Sequence, residues 1–180
     1  MKLFHFVPEC FVDTNLVESL LETDDVNHQK GCNSVVKTMK GKKLDGSFAV
    51  GIIDSDKRKP SYVNDFNEIA KSQHLSLMKH KEKSHYIIMI NPAIDGFILD
   101  CAKDQGVDVN DFDLPSELKA FTKQTKNINS KKDERFKRLF KKLKDNPEFT
   151  IFRNVLIYLR DKNYNSTEES LIRFFQSPSI

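Results

Sequence analysis

The chain has 180 residues, is 38% hydrophobic and 31% charged, and carries a net charge of +3. That length fits one domain with a helical extension better than two domains, and no apolar run approaches the ~18 residues of a membrane span. Met1 to Glu9 turns acidic too soon for a signal peptide, and Cys10, Cys32 and Cys101 make neither a CxxC pair nor a disulfide framework, so a reducing, cytoplasmic setting is expected.

In chain order, Leu3 to Val7 reads as a strand, and Leu16, Val17, Leu20 and Leu21 mark one face of a helix. A weak second strand falls near Val26–Gln29. Asn33 or Ser34 is placed to cap a helix carrying Val35, Val36 and Met39. Phe48 to Ile53 is continuously apolar, as in a strand covered on both faces. A helix is predicted near Val63–Lys71, a second covered strand over Tyr86–Ile90, and a helix over Ala93–Lys103. Strands alternating with helices predict an α/β fold with a compact, Rossmann-like, mainly parallel sheet.

From Asn110 onward the period is helical, and the polar, acidic loop from Gly106 to Pro115 marks the boundary. Phe136, Leu139, Phe140 and Leu143 fall at i, i+3, i+4 and i+7, and Phe152, Val155, Leu156 and Leu159 repeat the spacing. Pro147 separates these two helices, and Thr167 opens a last short one. The expected division is an α/β domain over 1–105 and a basic helical extension over 106–180. Residues 116–145 hold eleven Lys/Arg against four acids, so this segment carries +7 and the other 150 residues carry −4. A basic arm beside an acidic body suits a nucleic-acid partner, with Lys131, Lys132, Arg135, Arg138 and Lys142 on the phosphates. A solvated helix face is the plainer reading of the same charges.

In open parallel sheets, ligands bind beyond the carboxyl ends of the strands. Glu9 follows the first strand, Asp54-Ser55-Asp56 follows the Phe48–Ile53 strand, and Asn91-Pro92-Ala93-Ile94-Asp95 follows the Tyr86–Ile90 strand. Carboxylates gathered at one place repel, and a divalent cation removes the conflict. Mg²⁺ takes oxygen ligands and keeps waters, so two or three carboxylates suffice. Glu9, Asp54 and Asp56 are therefore the candidate metal ligands. An acidic loop paired with Lys57, Arg58 and Lys59 is the structural alternative.

Glu9-Cys10-Phe11-Val12-Asp13 at a strand end resembles the E-G-x-x-D signature of toprim domains, and Asp54-Ser55-Asp56 resembles their D-x-D. The resemblance covers residues 1 to about 100, and the basic helical remainder is similar to the tail of small bacterial toprim-like proteins. It implies a Rossmann-like sheet that binds Mg²⁺ or Mn²⁺ and acts on phosphodiesters of DNA or RNA, in a family that includes nucleases linked to phage defence. By the same resemblance Glu9 is a general acid/base or metal ligand, Asp54 and Asp56 are metal ligands, and Asp95 is an additional ligand. Cys10 stands where the signature has glycine, and Asp95 is shorter than the expected glutamate. Phe11-Val12-Asp13-Thr14-Asn15-Leu16 also looks like the D-T-N opening of PIN-domain ribonucleases, but Pro8-Glu9-Cys10 interrupts the strand before that Asp.

His28, Lys30, Gly31 and Asn33 lie just before a predicted helix, where free N–H groups favour anions, and form a candidate phosphate site. Lys57, after the D-x-D, is a candidate for offsetting charge on a scissile phosphate. His74, His80 and His85 lack zinc spacing and are assigned no site. The C-terminal phenylalanines are expected in the core, with Phe121 alone left open as a base-stacking side chain. Three functions follow: a metal-dependent nuclease or related processor of nucleic-acid phosphodiesters, a degenerate toprim-like module that binds nucleic acid or a partner, and a phosphatase acting on small nucleotides. A partner subunit or a homo-oligomer is expected in the first two, and no membrane.

Overall fold

The computed structural model describes residues 3–56 and 58–177. Its strands are β1 (Phe6–Pro8), β2 (Ala49–Asp54), β3 (Phe66–Lys71), β4 (Leu75–His80) and β5 (His85–Ile90). Its α-helices are α1 (Phe11–Leu21), α2 (Cys32–Met39), α3 (Ile94–Asp104), α4 (Leu118–Thr125), α5 (Glu134–Lys142), α6 (Pro147–Lys162) and α7 (Glu168–Gln176). The fold is α/β, with one five-stranded sheet in the order β1-β2-β5-β4-β3. β1, β2 and β5 run parallel, whereas β5-β4 and β4-β3 are antiparallel. The sheet is thus mixed, and parallel at the end that carries the strand-end carboxylates.

Both faces of the parallel strands are covered, which is why β2 and β5 read as unbroken apolar runs. The period of two still assigns each side chain to a face. Val50, Ile52, Tyr86, Ile88 and Ile90 enter one core with α1, α3 and the C-terminal helices. Ala49, Ile53, Ile87 and Met89 enter another with Val35, Val36 and Met39 of α2. At Gly51 the α2 face comes close. A Cβ built there would stand 2.8 Å from the Met39 sulfur and 3.1 Å from Val35 Cγ1.

The helices from 118 onward lie on the α1 face and share its core. Phe97 of α3 stacks on Phe149 of α6 with centroids 5.2 Å apart, and the Asn146 side chain donates to the Cys101 carbonyl. Asn15 of α1 donates to the carbonyls of Ser130 and Asp133, tying α1 to the turn that precedes α5.

The helix predicted near Val63–Lys71 is not formed. Ser61–Asp65 is a 3-10 turn, and β3 follows it. Val63, Phe66 and Ala70 have helical spacing because the turn sets Tyr62, Val63 and Phe66 into the α2-side core, while a bulge between Glu68 and Ala70 turns Ile69 and Ala70 toward the other. β4 is a strand that the sequence reading did not include. Its lysine and histidine mask the alternation, although Leu75 and Leu77 are buried.

The weak strand near Val26–Gln29 forms a single parallel bridge, Leu3 with Val26. The segment still runs along β1: the N–H groups of Asn27, Gln29 and Gly31 donate to the carbonyls of Phe6, Pro8 and Glu9. α2 is capped by neither Asn33 nor Ser34. Its N-cap is Gly31 at φ 84, a left-handed conformation that glycine adopts without steric cost. Among the described residues, no helix is long and apolar enough to cross a membrane.

Candidate active site at the strand ends

Two strand-end acids, Glu9 and Asp54, lie side by side. Glu9, buried directly after β1, accepts the backbone N–H of Asp54 at 3.0 Å. The parallel pairing that sets Pro8 beside Ile52 brings the two strand ends level. Asp54, also buried, accepts the N–H of Ile94 at 3.0 Å, so it fixes the first turn of α3. Ser55 continues across to the next strand end, where its N–H donates to the carbonyls of Ile90 and Pro92. Beyond it the chain turns outward, and Asp56 is exposed. Lys57 lies outside the described residues.

Asp95 stands in the first turn of α3, but its carboxylate is directed to α4. It accepts the hydroxyl of Thr122 at 2.9 Å and that of Thr125 at 2.5 Å. Asp13 is a buried acid to which the sequence reading gave no role. It closes a capping box on α1: its carboxylate accepts the Cys10 N–H at 3.0 Å, and its own N–H donates to the Cys10 sulfur. Its other oxygen, Oδ1, is buried and has no hydrogen-bond partner. Burial is the main force raising the Asp13 carboxyl to about 7, opposed by the Cys10 contact and reinforced by the charges of Glu9 and Asp95.

Cys10 replaces the glycine of the resembling signature, and the backbone accounts for its fit. Its φ of −139 and ψ of 179 are extended, a region open to any residue. Burial, then the neighbouring Asp13 charge, pushes the thiol well above its ordinary value. The thiol therefore stays protonated at neutral pH and is a poor nucleophile.

The expected phosphate loop is brought beside Glu9. The Gly31 N–H donates to the Glu9 carbonyl, and the His28 ring stacks on Phe11 at 4.5 Å, with its Nδ1 2.8 Å from the Thr14 hydroxyl. Lys30 lies over the Phe11 ring. Burial, with Lys131 adding to it, lowers the His28 pKa, so the ring is neutral at pH 7. Asn33 is exposed on α2.

The basic arm divides into two groups. Arg135 forms an ion pair with Asp133 and also donates to the Asp113 carbonyl and the Gln124 side chain. Arg138 pairs with Asp113. Lys132 and Lys142 are exposed, and Lys131 is half-buried. Phe121 is fully buried against Phe136, so it is a core side chain and not a stacking platform. His74, His80 and His85 are buried. His74 sits at the strand-end edge with its Nδ1 3.1 Å from the Asn91 carbonyl.

Among the described residues, no group of three or more His, Cys, Asp or Glu side chains is arranged to hold a metal ion. A caged, all-protein metal centre is therefore absent from them. Glu9 and Asp54 suit a different kind of site, since Mg²⁺ is often held by one or two carboxylates and otherwise keeps its waters. Asp13, the last residue of the toprim-like Glu9–Asp13 segment, also left a structural signal, the Cys10-x-x-Asp13 spacing of a capping box. Thr122 and Thr125 left none, because only the packing of α4 brings them to Asp95. Comparison with known proteins finds no matching family, no matching characterised protein and no matching solved structure.

Proposed function

We propose that this protein is a toprim-like, metal-dependent nuclease or a related processor of nucleic-acid phosphodiesters, working in the cytoplasm with Mg²⁺ or Mn²⁺. The observation that carries the reading is the contact between Glu9 and Asp54. It gathers two buried carboxylates at the C-terminal end of two parallel strands, where open α/β sheets bind ligands. The resemblance of the Glu9–Asp13 and Asp54–Asp56 segments to the toprim signatures supplies the chemistry, and its defence-linked members supply a biological setting.

In this reading Glu9 and Asp54 would hold the ion, which would polarise a phosphate oxygen and lower the pKa of water. Glu9 takes the proton of the attacking water on its carboxylate. His28, Lys30 and the backbone near Gly31 flank Glu9 and face the phosphate. Asp95 anchors α4 through its two threonines. Lys131, Lys132 and Lys142 attract the nucleic-acid backbone without reading its sequence.

A second reading is a degenerate module that binds nucleic acid or a partner chain. It is favoured by the structural use of the acids: Asp54 holds the α3 N-terminus and Asp95 holds α4. Cleavage of single- and double-stranded DNA and RNA with Mg²⁺, Mn²⁺ or EDTA, comparing wild type with Asp54→Asn, decides between them. Metal-dependent products that disappear in the variant support the nuclease. Salt-steep binding that ignores EDTA, without cleavage, supports the module. Hydrolysis of a small nucleotide but no polymer points to a phosphatase.

A further inference from the structure

α4 is joined to the candidate site by one carboxylate. Thr122 and Thr125 donate to Asp95 in the first turn of α3, and the first N–H of that turn is held by Asp54. Leu118, Lys119, Thr122, Lys123 and Lys126, with Glu117, line a shallow groove of about 490 Å³ along the same helix. Thr122 belongs to both the groove and the Asp95 contact, so the groove reaches the residue that follows Ile94, whose N–H Asp54 holds.

The charges of this groove are uncommitted. Lys119, Lys123 and Lys126 are exposed, and none forms an ion pair with a described residue. On α5, by contrast, Arg135, Lys137 and Arg138 are each paired with an acid. Glu117 forms no ion pair with the groove lysines, its carboxylate capping α4 through the N–H groups of Lys119 and Ala120, so its charge only partly offsets theirs. Lys119 stands in the first turn, where the helix dipole disfavours a cation. Helix stability therefore does not explain it. At 1.5 Å per residue the three lysines are about 6 and 4.5 Å apart along the axis. That is one to two steps of a strand with a phosphate every ~3.4 Å. Leu118, 54% exposed at the head of the groove, offers an apolar surface to a sugar or base.

We propose that the α4 groove binds the sugar–phosphate backbone of a nucleic-acid strand and delivers that strand to the Glu9–Asp54 edge. The proposal rests on the nucleic-acid reading given above and locates its main contact surface on α4, ahead of the α5 cations. Asp95 is then a positioning residue, setting the groove against the site.

The test is fluorescence anisotropy of a labelled single-stranded oligonucleotide with the full-length protein in EDTA, over a range of salt. Lys119→Gln/Lys123→Gln/Lys126→Gln is expected to weaken binding on the order of 10- to 100-fold and to flatten the log–log salt slope by about 2. Lys137→Gln/Lys141→Gln/Lys144→Gln, which alters a separate basic cleft at the C-terminal end of α1, is expected to leave both near wild type. Melting curves of the two variants verify folding. Wild-type binding that the α4 variant retains in full overturns the groove, and so does absence of wild-type binding. Displacement of the oligonucleotide by poly-glutamate at equal charge also overturns it, in favour of an acidic protein partner. Cleavage by wild type and Asp54→Asn, run in parallel, reports on the metal site alone, so the two proposals fail separately.

Discussion

The carboxylate of Glu9 accepts the backbone N–H of Asp54 at 3.0 Å, while the carboxylate of Asp54 accepts the N–H of Ile94 at the same distance. One short chain of contacts therefore links the ends of β1 and β2 to the start of α3. Under the proposed function a change at Asp54 would have a chemical component beside the structural one, and two variants separate them. Asp54→Asn keeps an oxygen for Ile94 and should unfold close to wild type. Asp54→Ala leaves that N–H without its acceptor and should lose about 1 kcal/mol. Isothermal calorimetry should show Mg²⁺ or Mn²⁺ binding lost in both. Wild-type affinity in Asp54→Asn would remove the metal site from this position.

Asp13 should make stability depend on pH in the reverse of the common carboxylate sense. Its carboxyl is raised from 3.8 to about 7, chiefly by burial. The folded protein therefore keeps the proton at pH values where the unfolded chain has released it. The contribution is full below about 3.8 and declines as pH rises toward 7. Asp13→Asn retains an acceptor for the Cys10 N–H and removes the titration. Its stability relative to wild type should rise between pH 4 and 7, by an amount on the order of 3 kcal/mol. Denaturant unfolding across that range measures it, and parallel curves for the two proteins would refute it.

On the opposite face of the sheet, the Tyr62 hydroxyl lies 2.7 Å from His85 Nδ1, and His85 Nε2 lies 2.8 Å from the Leu44 carbonyl. With Nε2 donating to that carbonyl, Nδ1 accepts from the tyrosine. Tyr62→Phe leaves a fully buried ring nitrogen unpaired and should cost about 1–3 kcal/mol. Burial also lowers the His85 pKa. The neutral ring contributes its full stability above the ordinary value of 6.5, and this is lost as pH falls below it. Chemical denaturation of the variant at neutral pH checks the first statement.

Gly51 lies in the middle of β2 beneath α2. A methyl group there meets Met39 and Val35, both completely buried, at 2.8 and 3.1 Å. Gly51→Ala should therefore destabilise by about 1–3 kcal/mol through overpacking. Gly46, where an added Cβ meets nothing within 4 Å, should tolerate Ala with a change within about 0.5 kcal/mol. Melting temperatures of the two variants test the contrast.

The sequence alone determined the elements whose burial is uniform or strongly periodic. β2 and β5 announce themselves because both faces are covered, and α5 and α6 because one stripe is. The strand-end positions of Glu9 and Asp54 follow from those assignments, since a side chain just past an apolar run must stand at the sheet's edge. The tertiary structure decided what local pattern does not encode. β4 and β3 pair as an antiparallel hairpin beside β5, although Val63, Phe66 and Ala70 have helical spacing, because a bulge divides them between two cores. Cys10 serves as a helix cap because Asp13 lies three residues on and reciprocates. Asp95 turns to Thr122 and Thr125 across 27 and 30 residues of chain. Such contacts depend on how helices pack against the sheet, and packing depends on the shape of the whole core, which no local period records.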